Sequence, residues 1–436
     1  MSNQRLGMKK INHDPGRSAF EQDFDRIVFS YPFRRLQDKT QVHPLPEHDF
    51  VHTRLTHSLE VSSVGRSLGK IVGETIVQRH PSLVRDYSSH DFGAIVAAAS
   101  LTHDIGNPPF GHSGEDAISD FFTSEDGLPY KTLVTPTEWK DLITFEGNAQ
   151  GFRLLNNPRY QGIKLTFATL AAFSKYPRQS VIKKKDAKRR SQKKYGFFQS
   201  EKETFTEIAK QTELLELGEY TWSRHPLAFL VEAADDICYH LIDLEDGCRL
   251  GLVSYDDTVE LFASILKERF NPEKLNSIDT VNEKIGVLRA LAVGQLIEEC
   301  SQMFLDNEEA ITLGTFDIAL ADEIPSSSVL NDVIGISIDN IYRSRNVMET
   351  EAAGFEVLPG LLKVFTEAIM TDDHTGSKKN KSIKRLLPAE ILLDIEAYSN
   401  DPYQKLRSCV DFVSGLTDRH AISMFRKIKG ISLPNA

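Results

Sequence analysis

A histidine and an aspartate stand side by side at the end of an apolar run. His103 and Asp104 follow residues 94–101, Ala-Ile-Val-Ala-Ala-Ala-Ser-Leu, which are apolar on all sides, as in a buried helix. A carboxylate in the last turn of a helix lies near the negative end of the helix dipole, and burial without a partner costs more still. A divalent cation held by the imidazole and the carboxylate would remove both penalties. The alternative is that Asp104 only caps the turn before Gly106.

A second histidine begins another apolar stripe. His57 is in register with Val61, Val64 and Leu68, and this spacing predicts one face of a helix from Leu55 to Val77. A lone histidine in such a place is usually a hydrogen-bonded core residue. We consider it a metal ligand because a second pair of ligand-type residues ends another buried helix.

Two aspartates and a tyrosine form a third pattern. Asp235, Tyr239 and Asp243 are spaced i, i+4, i+8, so they share one side of the helix predicted from Pro226 to Leu244. On that ridge a carboxylate, a phenol and a second carboxylate could contact a metal, a ring and a hydroxyl in succession. The alternative is a solvated acidic face, and the apolar residues around Asp235 argue against it.

The three patterns occur in the order of the metal ligands of the HD phosphohydrolase superfamily. Longer strings closely resemble its dGTP triphosphohydrolase branch, and the similarity spans nearly the whole chain. The strings are FRRLQDKTQV (Phe33 to Val42), TRLTHSLEV (Thr53 to Val61), THDIGNPPFGHSGE (Thr102 to Glu115), FEGNAQG (Phe145 to Gly151) and EAADDICYHLIDLEDG (Glu232 to Gly247), with weaker matches in YRSRNVMETEA (Tyr342 to Ala352) and SGLTDRHA (Ser414 to Ala421).

The resemblance implies one divalent metal ion per active site, held by His57, His103, Asp104 and Asp235. Ligands of these types suit Mg, Mn, Fe, Zn, Co or Ni, so the sequence does not identify the metal. The metal would polarise the α-phosphate of dGTP, or of another dNTP, and activate a water. The expected products are the deoxynucleoside and intact tripolyphosphate.

The resemblance also implies a catalytic pair, His112 and Glu115. The two residues are one helical turn apart, so Glu115 could orient His112 for proton transfer. The alternative is a pair that only holds the loop in place.

Further positions match substrate contacts of the family. The triphosphate would be bound by Arg54, Lys175, Tyr176 and Asn148. Gln41 would line the sugar or base region, and Arg345 would reach the nucleotide. Tyr239 would pack under the deoxyribose and exclude a 2′-hydroxyl, while Asp243 would accept a hydrogen bond from the 3′-hydroxyl. Any of the cations could instead be a surface ion-pair partner. The implied substrate residues are Gln41, Arg54, Asn148, Lys175, Tyr176, Tyr239, Asp243 and Arg345.

The sequence departs from some relatives near the expected nucleotide. Asn107 and Glu349 stand where certain members have histidine, and Ala353 replaces a tyrosine. These changes affect the nucleotide contacts and leave the metal ligands intact.

The elements that must position these residues are helical. We predict an all-α fold, an HD-domain helical bundle with additional C-terminal helices and at most a small hairpin. The chain, residues 1–436, is expected to form one unit, with the HD metal-binding core in 50–250 and a helical region that completes the nucleotide site in 251–436. Apolar periodicity predicts helices at Leu55–Val77, Gly93–His103, Glu115–Phe122, Pro226–Leu244, Val281–Leu305 and Leu330–Thr350.

Two polar segments are predicted to be mobile surface loops. Lys183 to Lys194 is strongly basic, and Asp372 to Arg385 is rich in Gly, Ser and Lys. The basic segment is a candidate site for single-stranded nucleic acid, although such a run is usually a solvated loop.

The bulk properties restrict the class of protein. A net charge of -11 argues against a general nucleic-acid coat protein. We expect a cytoplasmic protein without a signal peptide or membrane span, and a homo-oligomer, as relatives are often hexamers and some need a dNTP activator. Two alternatives stay open: another HD-family nucleotide hydrolase, or a regulator that binds dNTPs or single-stranded DNA with weak turnover. The cysteines, expected to be reduced, are Cys238, Cys248, Cys300 and Cys409.

Overall fold

The computed structural model describes residues 1–8, 16–42, 51–159, 163–371 and 376–432. Within these ranges the regular structure is helical apart from one antiparallel hairpin, β1 (Glu216–Gly218) and β2 (Thr221–Trp222), which confirms the all-α class. None of the described helices combines the length and the apolarity needed to cross a bilayer.

The α-helices are α1 (Ala19–Val28), α2 (Tyr31–Arg34), α3 (Arg54–Arg79), α4 (Ser89–Thr102), α5 (Gly111–Thr123), α6 (Pro136–Ile143), α7 (Gly147–Asn156), α8 (Phe167–Phe173), α9 (Lys202–Gln211), α10 (Pro226–Arg249), α11 (Tyr255–Leu266), α12 (Pro272–Asn276), α13 (Val281–Asp306), α14 (Glu308–Thr312), α15 (Leu320–Glu323), α16 (Ser327–Ile336), α17 (Arg345–Met370), α18 (Lys378–Lys384), α19 (Ala389–Ala397), α20 (Pro402–Ser414) and α21 (Asp418–Ile428). Short 3-10 helices lie at Arg35–Asp38, Pro81–Arg85, Leu128–Leu133, Arg190–Gln192, Gln199–Glu201 and Lys267–Arg269, and a π-helix at Ser337–Tyr342.

Glycines let α3 and α4 pack with their backbones close together. Gly65, Gly69 and Gly73 recur every four residues along the face of α3 that meets α4. A Cβ atom on Gly69 would lie 2.8 Å from the carbonyl oxygen of Phe92, closer than real Cβ contacts allow. This packing brings His57, in the first turn of α3, next to the residue that ends α4.

Helix α10 forms the third side of this frame. His225 caps it by accepting a hydrogen bond from the backbone N–H of Leu227, and Pro226 occupies the first turn, where a missing N–H costs nothing. The apolar side of α10 packs on α3, α4 and α13 in one continuous core. Asp235, in the middle of α10, therefore faces the ends of α3 and α4.

A second apolar core joins α5 and α6 to the C-terminal helices α17, α20 and α21. Helix α5 begins at a tight turn, in which its N-cap Phe110 and its first residue Gly111 have φ angles of 65° and 60°. A positive φ is unfavourable for phenylalanine, so tertiary contacts must hold this turn. The C-terminal helices thus pack against the helix that carries His112 and Glu115.

The prediction of one helix from Leu330 to Thr350 is wrong. Helix α16 ends at Ile336, the π-helix follows, and the chain turns at Arg343 and Ser344 before α17 begins. Ser344 is the N-cap of α17 and has an extended backbone with ψ of 149°. Apolar residues recur at helical spacing on both sides of this turn, so the periodicity does not reveal it.

The prediction of a mobile loop from Asp372 to Arg385 is wrong over its second half, where α18 forms. The side chain of Ser377 caps that helix by accepting a hydrogen bond from the backbone N–H of Asn380, which is itself buried. Residues 372–375 lie outside the described residues. A polar composition is therefore compatible with a short, well-capped helix.

Candidate active site

Three of the four predicted metal ligands converge on one point. The side-chain donor atoms of His57, His103 and Asp235 all lie within 4.8 Å of one another. His57 Nε2 is 3.2 Å and His103 Nε2 is 3.5 Å from the same Oδ1 atom of Asp235. Burial disfavours the charge of Asp235, but His103, His57 and Lys175 outweigh it and hold the pKa of Asp235 well below its usual range. Two imidazoles and a carboxylate suit a divalent metal.

The orientation of His103 favours a metal at this point. Its Nδ1 lies 2.7 Å from the carbonyl oxygen of Ser100, which can only accept, so Nδ1 carries the proton. Its Nε2 is buried and has no hydrogen-bond partner among the described residues. A backbone carbonyl that orients a histidine in this way is typical of metal ligands, and an unsatisfied buried acceptor is costly without one. The residues present therefore fit a divalent metal.

Asp104, the fourth predicted ligand, lies beside this cluster. Its Oδ1 is 3.6 Å from His103 Nε2 and accepts a hydrogen bond of 2.6 Å from Asn107 Nδ2. Its Oδ2 pairs with Arg54 Nη1 at 2.5 Å. Burial opposes ionisation, but the charges of Arg54 and the histidines lower the pKa of Asp104 to about 2. Asp104 thus stays ionised at the edge of the metal cluster, with Arg54 as its partner.

His112 and Glu115 form the hydrogen-bonded pair expected from their spacing. His112 Nδ1 lies 2.8 Å from Glu115 Oε2, and the other oxygen accepts a hydrogen bond of 2.6 Å from the backbone N–H of Gly147. Lys194 Nζ is 3.6 Å from Oε2. Burial would raise the pKa of Glu115, but the hydrogen bond from His112 and the charge of Lys194 lower it. The side chain of His112 is 83% exposed, so its second nitrogen is accessible to a substrate.

A group of cations gathers around one buried carboxylate. Glu232 pairs with Lys175 at 3.2 Å, with Arg190 at 2.7 Å and with Arg224 at 2.5 Å. Burial opposes its ionisation, but Lys175, Arg224 and Arg190 together hold the pKa of Glu232 well below its usual range. Burial raises the pKa of the neighbouring Asp236 to about 7. Arg190 also pairs with Asp322 at 3.1 Å, and Arg224 pairs with Asp317 at 3.0 Å. Lys175 and Arg190 line the cavity and form a cationic wall, and cations so placed suit a polyphosphate.

Two tyrosines and a buried aspartate form another part of the site. The rings of Tyr239 and Tyr342 lie 5.8 Å apart at an angle of 32°. The hydroxyl of Tyr342 donates a hydrogen bond of 2.7 Å to Asp243 Oδ2. Asp243 is 6% exposed, and burial raises its pKa to about 7. Tyr342 lines the cavity and Asp243 is not among its lining residues, and the contact of Asp243 with the sugar stays a prediction.

These groups surround one cavity of about 580 Å³. His57 is not part of its wall; it is 2% exposed and lies behind the other members of the metal cluster. The cavity thus joins the His103–Asp235 part of the candidate metal cluster, the His112–Glu115 pair and the cationic wall. The predicted residues that line it are Gln41, Arg54, His103, Asp104, His112, Glu115, Asn148, Lys175, Tyr176, Asp235 and Tyr239.

Arg345 is not brought to the cavity of its own chain. Its side chain is 89% exposed and pairs with Glu349 one turn further along α17, at 2.7 Å. The face of α17 that meets the cavity instead carries Val347, Thr350 and Glu351. Arg345 is the first residue of α17 and lies on a different face of that helix. Within one chain it therefore does not make the expected contact with the nucleotide.

The basic segment Lys183–Lys194 is only partly a surface loop. Residues 183–188 are exposed, as predicted, but the chain then returns to the protein. Arg190 pairs with Glu232, and Lys194 Nζ lies 3.1 Å from Glu146 Oε1. Both cations line the cavity. The basic, polar composition of the segment predicts a solvated loop, and it does not reveal these acidic partners, which are distant in the sequence.

Sequence reasoning missed four residues at or near this site. Tyr342 and Lys39 lie inside strings that already resembled the family, so those strings were the available signal. Arg190 and Lys194 belong to a run of basic residues, and the sequence of that run does not distinguish a buried cation from a solvated one. Tyr342, Arg190 and Lys194 line the cavity, and Lys39 is buried close to it.

Comparison with known families agrees with this geometry. The HD domain matches residues 54–132, which include His57, His103, Asp104, His112 and Glu115. A phosphohydrolase-associated domain matches residues 332–427, a range that covers the π-helix and most of the C-terminal helices packed on α5. The candidate metal cluster, apart from Asp235, and the His112–Glu115 pair thus lie within the range that matches the HD domain.

Relatives match almost the full length of the chain. The sequence is 41% identical to a deoxyguanosinetriphosphate triphosphohydrolase-like protein of Synechocystis sp. over 99% of both chains. It is 37% identical to a protein of the same name from Pseudomonas aeruginosa, over 100% of this chain and 99% of the relative. It is 31% identical to the deoxyguanosinetriphosphate triphosphohydrolase of Cronobacter sakazakii over 94% of each chain. The chain is therefore a phosphohydrolase that belongs to the deoxyguanosinetriphosphate triphosphohydrolase family of the HD superfamily.

Proposed function

We propose that this chain uses a divalent metal to hydrolyse deoxynucleoside triphosphates, dGTP among them, to the deoxynucleoside and tripolyphosphate. The observation that carries the proposal is a shared cavity: His103 and Asp235 of the metal cluster face the same space as Lys175 and Arg190 of the cationic wall. Phosphate-ester hydrolysis needs both an electrophilic centre and cations that hold the phosphates. The names of the relatives support dGTP as a substrate.

The cations would hold the triphosphate. When bound at His57, His103 and Asp235, with Asp104 beside them, a divalent metal supplies a Lewis acid and lowers the pKa of water. Lys175 and Arg190 are already drawn together by Glu232, so little side-chain entropy is lost when they bind an anion. A phosphate chain would replace part of their pairing with Glu232 and extend toward Lys194.

The catalytic pair would supply the proton that the reaction needs. Water attacks the α-phosphorus, the bond from the α-phosphorus to the 5′-oxygen breaks, and the leaving 5′-oxygen must gain a proton. His112 is exposed to the cavity and can give that proton from Nε2, while the Glu115 carboxylate stabilises the cationic imidazole through Nδ1. The oxygen of the water ends in tripolyphosphate.

A product analysis in labelled water tests the proposal. Each dNTP, alone and in pairs, and GTP as the ribose control are incubated with the protein and Mn²⁺ or Mg²⁺ in H₂¹⁸O, and the products are separated by ion exchange. We expect deoxyguanosine without label and tripolyphosphate with label from dGTP. Pyrophosphate with dGMP, or label in the nucleoside, would contradict attack at the α-phosphorus. Preference for GTP over all dNTPs would favour another HD-family nucleotide hydrolase.

We also propose that the chain forms a homo-oligomer and responds to a dNTP activator. The family resemblance supports both. Hydrolysis that appears only with a pair of dNTPs would reveal an activator, and light scattering with and without dNTPs measures the assembly. A monomer at every protein and nucleotide concentration would contradict the oligomer.

A further inference from the structure

Asp317 is hydrogen-bonded to the segment that carries Arg190, although Asp317 is not one of the residues that line the cavity. It lies between α14 and α15 and is 8% exposed. Its carboxylate accepts hydrogen bonds from the backbone N–H of Ser191 at 3.2 Å, from Ser191 Oγ at 2.5 Å and from Arg189 Nη1 at 3.3 Å. Its carbonyl oxygen accepts a further bond of 2.8 Å from the backbone N–H of Arg190. Asp317 thus holds the main chain at Arg190 and Ser191.

A second path from Asp317 to Arg190 runs through a buried chain of ion pairs. Asp317 Oδ1 lies 3.0 Å from Arg224 Nε, and Arg224 Nη1 donates a hydrogen bond of 2.5 Å to Glu232 Oε2. Arg224 is 3% exposed, and its guanidinium lies 3.8 Å from the centre of the Phe229 ring. Because Arg224 occupies Oε2, the other oxygen of Glu232 is left for the cationic wall, and Arg190 Nε donates to it at 2.7 Å. The carboxylate that holds the Arg190 side chain is therefore oriented by the Asp317–Arg224 pair.

The contacts of Arg190 leave one nitrogen for a ligand. Its Nε is held by Glu232 at 2.7 Å and its Nη1 by Asp322 at 3.1 Å. Its Nη2 lies 3.9 Å from Asp236, beyond hydrogen-bond distance, so within the described part of the chain this nitrogen keeps donors for an anion in the cavity. An arginine that is already fixed at its main chain and at two of its nitrogens loses less conformational freedom when it binds an anion.

We propose that Asp317 is a positioning residue for the polyphosphate: it fixes the main chain of Arg190 and the Arg224–Glu232 pair, so that Arg190 Nη2 is directed to the phosphates. This inference rests on the proposed function, because it assigns a support to the cationic wall of the same site. Asp317 does not touch the substrate, so its effect on phosphate binding passes through Arg190. Loss of Asp317 should therefore weaken ground-state and transition-state binding equally, which raises KM and leaves kcat nearly unchanged.

A double-mutant cycle on the full-length protein tests this path. The probe is inorganic tripolyphosphate, whose dissociation constant is measured by calorimetry with excess Mg²⁺ in both solutions, for wild type, Asp317→Ala, Arg190→Met and the double variant. We expect each single substitution to raise the constant by ~10-fold or more, as for a lost hydrogen bond to a charged group, and the double variant to stay within ~2-fold of Arg190→Met. Asp332→Ala, which changes an exposed aspartate of α16, is the matched control and should bind as wild type.

A conservative variant separates positioning from a general loss of structure. Asp317→Asn keeps an acceptor for the N–H of Ser191 and loses the charge that faces Arg224, so its affinity should lie between those of wild type and Asp317→Ala. The same cycle can be run with Asp317→Asn if the alanine variant does not fold. With dGTP as substrate, Asp317→Asn should raise KM and change kcat by less than ~3-fold.

Additive losses overturn the inference. If the double variant loses the product of the two single factors, Asp317 acts without Arg190. Equal binding of tripolyphosphate by wild type and Arg190→Met would likewise contradict it. If wild type hydrolyses no dNTP, the proposed function fails, and the cycle still decides the role of Asp317, because it needs no turnover.

Discussion

Lys194 Nζ lies 3.6 Å from the buried carboxylate of Glu115, although the two residues are almost 80 positions apart in the sequence. The same ammonium group lies 3.1 Å from Glu146, so it separates two acidic side chains that would otherwise repel each other. Glu115 in turn holds His112 Nδ1 at 2.8 Å. The charge of Lys194 thus acts directly on the carboxylate that orients the exposed histidine.

Removal of the Lys194 charge should slow catalysis and shift its pH dependence. In Lys194→Met we expect kcat/KM to fall by ~10- to 100-fold, less than the ~10²- to 10⁴-fold contribution of an acid–base group, because the His112–Glu115 pair itself remains. Lys194 lowers the pKa of Glu115, so its loss raises that pKa and moves the acidic limb of the pH–rate profile to higher pH. Steady-state rates between pH 5 and 9 measure both effects. Lys188→Met is the control, because Lys188 is an exposed lysine of the same segment; equal profiles for the two variants would show that Lys194 does not act on Glu115.

The metal cluster predicts a specific pattern of metal dependence. Wild type should lose activity in EDTA, regain it with Mn²⁺, and melt at a higher temperature with the metal than without it, because a ligand that binds only the folded state stabilises it. His103→Ala removes the buried Nε2 and should lower kcat by ~10³-fold or more and abolish the rise in melting temperature. His90→Ala, an exposed histidine at the start of α4, should behave as wild type. A full thermal shift in His103→Ala would place the metal elsewhere.

The candidate metal ligands could be predicted from the sequence, because their residue types and their positions on apolar helices are both readable there. His57, His103 and Asp235 could be found because each belongs to an apolar stripe, and the cores of α3, α4 and α10 follow those stripes. The close packing that brings them together depends on the glycines of α3. The four-residue spacing of these glycines can be read from the sequence. It predicts close packing only once Phe92 is known to lie against this face of α3.

Other features depend on contacts between distant segments and could not be predicted. Unlike the exposed lysines before them, Arg190 and Lys194 pair with acidic side chains from distant segments, among them Glu232 and Glu146. The turn after Tyr342 does not interrupt the helical spacing of apolar residues, so the sequence pattern does not predict the π-helix. Local patterns report which side of an element is apolar, and they do not report which element lies against it.

Asp418 should be required to hold two loops of the cavity. It is 1% exposed at the start of α21, and its carboxylate accepts hydrogen bonds from the backbone N–H of Thr40 at 2.9 Å and of Phe110 at 3.2 Å. The first loop leads to Gln41 and the second to His112. Asp418→Ala leaves the buried N–H of Phe110 unsatisfied, at about 1–3 kcal/mol, and removes the acceptor of the part-buried N–H of Thr40, so it should reduce kcat by ~10-fold or more.

Two variants distinguish this role from a general loss of stability. Arg419→Ala removes a neighbouring side chain that pairs with Asp38 at the surface, and it should leave both the unfolding free energy and kcat nearly unchanged. Asp418→Asn keeps one acceptor and should fall between wild type and Asp418→Ala in urea unfolding and in kcat. If Asp418→Ala lowered stability but left kcat intact at a temperature where it is folded, Asp418 would only support the fold.

His52 should make the stability of the protein decrease at alkaline pH. Its Nδ1 lies 2.7 Å from Asp246 and its Nε2 3.2 Å from Glu60, so the imidazole joins α10 to α3 just before Arg54. Burial lowers the pKa of His52, but the hydrogen bonds and charges of Asp246 and Glu60 outweigh it and raise the pKa to about 10. The folded state therefore holds a proton that the unfolded state loses near pH 6.5. This stabilisation is complete below that pH and disappears as the pH rises through 10.

Urea unfolding at pH 7.0 and 9.5 tests this linkage. Between these values the His52 proton should account for a loss on the order of 3 kcal/mol in the free energy of unfolding, since each pH unit contributes about 1.4 kcal/mol while only the folded state is protonated. His52→Gln keeps hydrogen-bonding capacity without a titrating group, so its stability should be lower at pH 7.0 and should fall less toward pH 9.5. The exposed His90→Gln should follow wild type. Parallel losses in wild type and His52→Gln would mean that His52 is not protonated in the folded protein, and that its contacts with Asp246 and Glu60 are those of a neutral imidazole.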